Sequence, residues 1–316
     1  MRDGWRVISG VPTVRMVDMD PELEAFVPLL PQVDMTDPVA ARKVYAELAA
    51  SKPAGDTTGM AIEDRMVPGD PDVPVRIYLP RQAQGAVIWL HGGGWMMGNL
   101  DTEHPWGSRL SEGAGAVVIL VDYRLAPEHP FPAALDDVYA VLTWTAEHAA
   151  ELGIDPERIA VGGHSAGGNL AAAVALRARD QQGPPIRFQV LNEPSLDDRQ
   201  ETWSARNFTD TPWATRDKVA VNWRQYLGSG PASPYAAPAR ATDLSGLPPA
   251  YIASAEFCPN RDEDLAYGLR LLAAGVSVEL HQWPGTFHGS QAILSAGVSQ
   301  RQIAELGAIL RRALAE

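Results

Sequence analysis

The stretch Gly162-Gly163-His164-Ser165-Ala166-Gly167-Gly168 lies between an apolar run, Arg158-Ile159-Ala160-Val161, and an alanine-rich one, Asn169-Leu170-Ala171-Ala172-Ala173-Val174-Ala175-Leu176. The first run reads as a strand and the second as a helix. A serine between them occupies a turn so tight that its backbone angles are strained and neighbouring main chain crowds it. Glycines two positions before and after the serine are then a steric requirement. Ser165 sits at the tip of that turn and is the candidate nucleophile. A serine hydroxyl also needs a base, donors for a developing oxyanion and an acid behind the base.

The rest of the chain alternates short apolar runs with helical patterns. Strands are expected at residues 61–67, 73–78, 86–90, 117–121, 158–161, 187–191, 250–254 and 278–282. Helices are expected at 107–114, 133–152, 167–180, 262–274 and 300–315. The later strands are continuous Val/Ile/Leu runs, as in strands covered on both faces. The alternation implies an α/β chain with a parallel, doubly wound sheet, whose first two strands form an antiparallel edge around Pro68-Gly69-Asp70-Pro71. Ligands of such sheets bind beyond the carboxyl ends of the strands. Two segments break the alternation: residues 1–50, helical in pattern, and 195–235, carrying Trp203, Trp213 and Trp223. Together they are expected to form a cap over a catalytic domain of residues 51–316.

Composition excludes some partners. A net charge of -13 repels nucleic acid and anionic membrane surfaces. With 46% hydrophobic residues the 316-residue chain has ample material for a core. One cysteine, Cys258, allows no internal disulfide and no multi-cysteine metal site. No apolar leader follows Met1-Arg2-Asp3-Gly4-Trp5-Arg6, and no run reaches membrane-spanning length. The expectation is a cytoplasmic protein without stable membrane insertion, and no metal ligand set is expected.

His91-Gly92-Gly93-Gly94-Trp95 follows the third strand directly. Glycines let backbone N–H groups approach a substrate oxygen closely, which an oxyanion requires. Gly92 and Gly93 are the expected donors, with Ala166 as a third at a helix N-terminus. His91 is expected to brace the loop. Trp95, Met96 and Met97 beside it are candidates for lining an apolar substrate pocket, Trp95 and Met96 foremost. A nucleophile on a strand-turn-helix elbow goes with the chain order serine, acid, histidine. His281 and His288 lie late enough. His281 falls inside a strand pattern, whereas His288 ends the loop Pro284-Gly285-Thr286-Phe287-His288, so His288 is the candidate base.

Through His91-Gly92-Gly93-Gly94-Trp95, Asp122-Tyr123-Arg124-Leu125-Ala126-Pro127-Glu128, Gly163-His164-Ser165-Ala166-Gly167-Gly168 and His288, the chain resembles the bacterial hormone-sensitive-lipase-like esterases of the α/β-hydrolase superfamily. The resemblance covers roughly residues 60–316. It implies an eight-stranded α/β-hydrolase fold with a helical cap, hydrolysis of short to medium acyl esters or lactones as small-molecule substrates, no cofactor, and a homodimer. Two departures stand out. His164 replaces an Asp or Glu usual beside the nucleophile. More consequentially, the family's acid, the first Asp of Asp-Pro-Leu-Arg-Asp-Glu, is matched here by Cys258-Pro259-Asn260-Arg261-Asp262-Glu263.

A neutral thiol stabilises an imidazolium far less than a carboxylate does, and a triad without its acid loses about 10⁴ in rate. Glu193, ending the sixth strand in Leu191-Asn192-Glu193-Pro194 where relatives generally carry an aromatic or aliphatic residue, is the expected replacement; Asp262 and Glu256 are the alternatives. Cys258 as the nucleophile is disfavoured, because no elbow surrounds it. The missing Asp also makes a catalytically weak or inactive ligand-binding protein on the same scaffold the alternative reading. Retention of both Ser165 and His288 favours the enzyme.

Overall fold

A computed structural model describes residues 19–50, 53 and 55–315; residues 1–18 of the expected cap lie outside the described residues. Eight strands form one sheet: β1 (Ala61–Val67), β2 (Val73–Leu79), β3 (Ala86–Leu90), β4 (Val117–Val121), β5 (Ile159–His164), β6 (Phe188–Asn192), β7 (Ala250–Phe257) and β8 (Val278–Phe287). Their order is β1-β2-β4-β3-β5-β6-β7-β8. β2 pairs antiparallel with β1 and with β4, and every other pair is parallel. This is the α/β-hydrolase arrangement, with the antiparallel edge expected from the sequence.

The helices are α1 (Pro21–Glu24), α2 (Pro38–Ala50), α3 (Leu100–Ala114), α4 (Ala133–Glu147), α5 (Ala149–Leu152), α6 (Ala166–Asp180), α7 (Trp203–Asn207), α8 (Arg216–Leu227), α9 (Arg261–Ala273) and α10 (Gly297–Ala315). Strand side chains alternate between two buried layers, as a period of two demands. Ile88, Leu90, Ile119 and Val121 join Leu170, Val174 and Leu271 from α6 and α9. Val87, Trp89, Val118 and Leu120 join Leu110 of α3 and Leu306 and Leu310 of α10 on the other face. Every residue of β3 and β4 is buried. A sheet so covered leaves its loops at the strands' carboxyl ends as the place for chemistry.

Among the described residues no helix is long and apolar enough to cross a membrane.

Candidate active site

Ser165 stands between β5 and α6 at φ 56° and ψ -115°, the strained turn its neighbours imply. A Cβ on Gly163 would lie 2.4 Å from the carbonyl carbon of Gly167, and one on Gly167 would lie 2.0 Å from the carbonyl oxygen of Leu90. Side chains at either position are therefore excluded. The Ser165 N–H donates to the Asn192 carbonyl at 2.9 Å, which ties the elbow to the end of β6.

His288, the candidate base, reaches Ser165 from three strands away in the sheet order. Phe257 of β7 is paired with Phe287 of β8, so the next residues, Cys258 and His288, leave their strands side by side. His288 Nε2 lies 2.9 Å from Ser165 Oγ. Burial lowers its imidazole to about 4, so Nε2 is free to accept the hydroxyl proton at neutral pH. His281, set aside in the sequence, lies within β8, where its Nδ1 bonds Glu305 at 2.7 Å.

Two groups face the other ring nitrogen. Cys258 Sγ is 3.1 Å from His288 Nδ1 in hydrogen-bond geometry, and Glu193 Oε2 is 3.4 Å away. Glu193 follows β6 directly, held by its N–H bond to the Ala253 carbonyl of β7 at 2.8 Å. Its φ of 48° is left-handed, a strain on the order of 1–3 kcal/mol for a side-chain-bearing residue. The carboxylate is 1% exposed. Oε2 accepts the Gly289 N–H at 2.7 Å and lies 3.3 Å from His164 Nε2, while Oε1 has no hydrogen-bond partner. Burial pushes the carboxyl up to about 8, against the pull of the Gly289 N–H. Burial, then the Glu193 charge, pushes the Cys258 thiol well above its ordinary range, so the sulfur keeps its proton.

The alternative carboxylates are engaged elsewhere. Glu256 Oε2 accepts the Gly285 N–H at 2.7 Å. Asp262 accepts the Ser204 N–H at 2.8 Å and the Arg261 guanidinium at 2.8 Å.

The glycine loop runs alongside Ser165. A Cβ on Gly92 would sit 3.2 Å from the His164 carbonyl oxygen; Gly93, at φ 111°, would put one 2.3 Å from the Met97 carbonyl. Gly92, Gly93 and Ser165 line one crevice, and Ala166, the first residue of α6, directly follows the serine. His91 turns away, stacking on Tyr123 with ring centroids 4.1 Å apart; its Nδ1 lies 2.8 Å from the Gly92 carbonyl. It braces the loop.

The expected substrate contacts from Trp95 and Met96 need correction, since neither lines the crevice. The Gly93 carbonyl accepts N–H bonds from both Met96 and Met97, folding the chain into a tight turn. That turn drives Trp95 into the core, stacked on Tyr226 at 4.2 Å, and Met96 into a cluster with Val33, Met35 and Ala126. Of the three, Met97 alone lines the crevice, alongside Tyr45, Trp213, Lys218 and Asn222. Sequence reasoning missed Lys218 and Asn222, which carry no motif; the break in alternation over 195–235 was the available signal.

A family profile described as α/β-hydrolase fold matches residues 87–292. The chain belongs to that family. It is a carboxylic ester hydrolase of the hormone-sensitive-lipase-like branch. Its relatives include the carboxylesterase NlhH of Mycobacterium tuberculosis, 43% identical over 290 residues that cover 88% of this chain and 90% of that protein. The esterase LipI of the same species is 46% identical over 226 residues, 69% of this chain and 70% of LipI. Among solved structures, a bacterial heroin esterase superposes with a TM-score of 0.90 at 47% identity, covering 94% of this chain and 98% of that one.

Proposed function

We propose that this α/β-hydrolase cleaves short to medium acyl esters through Ser165 and His288, with Glu193 as the acid and the Gly92, Gly93 and Ala166 amides as oxyanion donors. The observation that carries the reading is the 2.9 Å contact between Ser165 Oγ and a neutral, buried His288 Nε2 at a strained elbow. Ser165 attacks the ester carbonyl as Nε2 takes its proton; the imidazolium returns that proton to the leaving alcohol, and water releases the acyl group from Ser165.

The acid's work is divided. With Nε2 accepting from Ser165, the ring proton is on Nδ1, and Cys258 Sγ receives it, fixing that tautomer. A neutral thiol adds little charge, whereas Glu193 carries a full one when ionised. In the resting site neither member of the His288–Glu193 pair is stabilised in its charged form, as the opposite shifts record. When His288 becomes an imidazolium, the buried carboxylate gains its counter-ion, and the attraction is strongest in the transition state.

The crevice is small, about 70 Å³, and Val33, Met35, Tyr45, Trp213 and Val219 are among the residues that line it. Those residues come from the two segments that interrupt the alternation, which supports their reading as a cap and favours compact acyl groups.

Turnover of nitrophenyl esters with two to ten acyl carbons, by wild type and Ser165→Ala, tests this reading. Ser165→Ala is expected to lose at least about 10³-fold, with wild-type rates falling toward the longest chain. Serine-independent or undetectable turnover at every length would overturn this reading.

A further inference from the structure

Three donors meet behind the base. His164 Nε2 lies 3.3 Å from Glu193 Oε2, and Glu193 Oε2 lies 3.4 Å from His288 Nδ1. The donor atoms of the three residues all lie within 4.8 Å of one another. In a tetrahedral zinc site with bonds of about 2.0–2.2 Å, neighbouring donors stand about 3.3–3.6 Å apart. Two of the three separations already match, and the third, within 4.8 Å, closes with a side-chain movement of about 1 Å.

We propose that His164, Glu193 and His288 form a binding site for Zn²⁺ that switches the esterase off. Imidazole and carboxylate are donors that Zn²⁺ favours. Such an ion would supply the countercharge that ionised Glu193 otherwise lacks in the resting site: the side chain is almost fully buried, its Oε1 has no hydrogen-bond partner, and the Gly289 N–H is a dipole. That same N–H orients the carboxylate as an outer partner of the metal would.

The inhibition follows from the tautomer, and rests on His288 being the base. Nε2 accepts the Ser165 proton only while the ring hydrogen is on Nδ1. A metal ion on Nδ1 takes the lone pair there, and the neutral ring then holds its one hydrogen on Nε2. Nε2 becomes a donor toward Ser165 Oγ, and the nucleophile loses its base. No bond to the substrate is made or broken, so removing the ion restores activity.

The full chain, stripped with EDTA and dialysed, is titrated with ZnCl₂ in parallel by calorimetry and by nitrophenyl acetate turnover. One equivalent is expected to bind while activity falls at least tenfold and returns with EDTA. His164→Ala and Glu193→Gln, each checked for folding by circular dichroism and each normalised to its own metal-free rate, are expected to weaken binding at least tenfold. No saturable binding to the wild type, or unchanged affinity in both variants, overturns the site. Binding that both variants weaken but that leaves wild-type turnover intact overturns the switch. Absence of Ser165-dependent turnover in the stripped chain overturns the catalytic reading instead, and calorimetry still decides the site.

Discussion

Cys258 and Glu193 face one nitrogen of His288 from different strands, 3.1 and 3.4 Å away, and physical chemistry gives them unequal roles. The thiol keeps its proton and offers a weak acceptor; the carboxyl, once ionised, offers charge. Glu193→Gln is therefore expected to lower kcat at least about 100-fold, yet less than the about 10⁴-fold of a triad stripped of its acid, because Cys258 still holds the ring. Cys258→Ala is expected to stay within about tenfold of wild type. Steady-state kinetics of the two variants checks this, and the reverse ranking would show that the sulfur is the partner that matters. Ser165 and His288 were legible as residues because each lies in a short motif whose geometry is local. Cys258 was legible only as the residue that stands where the family's acid does; that its sulfur reaches Nδ1 in hydrogen-bond geometry follows from the Phe257–Phe287 register.

At the scale of elements, most strands fall where apolar runs place them, and two mismatches have identifiable causes. β8 extends to Phe287 rather than residue 282. Pro284 and Gly285, which read as a break, lie in a register shift: Ala255 pairs with Trp283 and Phe257 with Phe287, so extra residues bulge out of β8. The Gly285 N–H freed there is taken by Glu256. α3 begins at Leu100 rather than at residue 107, although Pro105 lies inside it. Its start is secured by a capping box in which Asn99 Oδ1 accepts the Thr102 N–H at 2.9 Å and Thr102 Oγ1 accepts the Asn99 N–H at 2.9 Å. Asn99→Ala is expected to destabilise the fold by about 1 kcal/mol with little change in kcat. Urea unfolding measures the first and ester turnover the second; unchanged stability would mean that packing alone holds the helix start.

The whole molecule carries several buried acids, and they set how stability varies with pH. Asp264 is fully buried beside Glu263, accepts the Ser254 hydroxyl at 2.9 Å, and is pushed well above the usual carboxylate range by burial, with Glu263, Glu193 and Asp262 adding to the shift. Glu263 is raised in the same way. A folded-state value above the unfolded one, about 3.9, means that the folded chain holds protons the unfolded chain releases. The contribution is complete below about pH 4 and is lost as pH rises toward the folded value. The Tm advantage of Asp264→Asn over wild type is therefore expected to grow from pH 4 to pH 8. Thermal melts across that range check it, and a constant or shrinking difference contradicts it.

Fold and reaction class were legible at this scale because alternation, the elbow and the glycine loop agree. The crevice wall was legible only in part: Trp213 falls in the segment expected as a cap, whereas Lys218 and Asn222 come from the same insertion without any repeating pattern to mark them. In the proposed reaction Ser165, activated by His288, makes the covalent bond to the acyl group. Labelling with a fluorophosphonate followed by peptide mass mapping reads that bond directly. One adduct on Ser165, absent in Ser165→Ala, is the expected result; an unlabelled chain, or an adduct on Cys258, would contradict it.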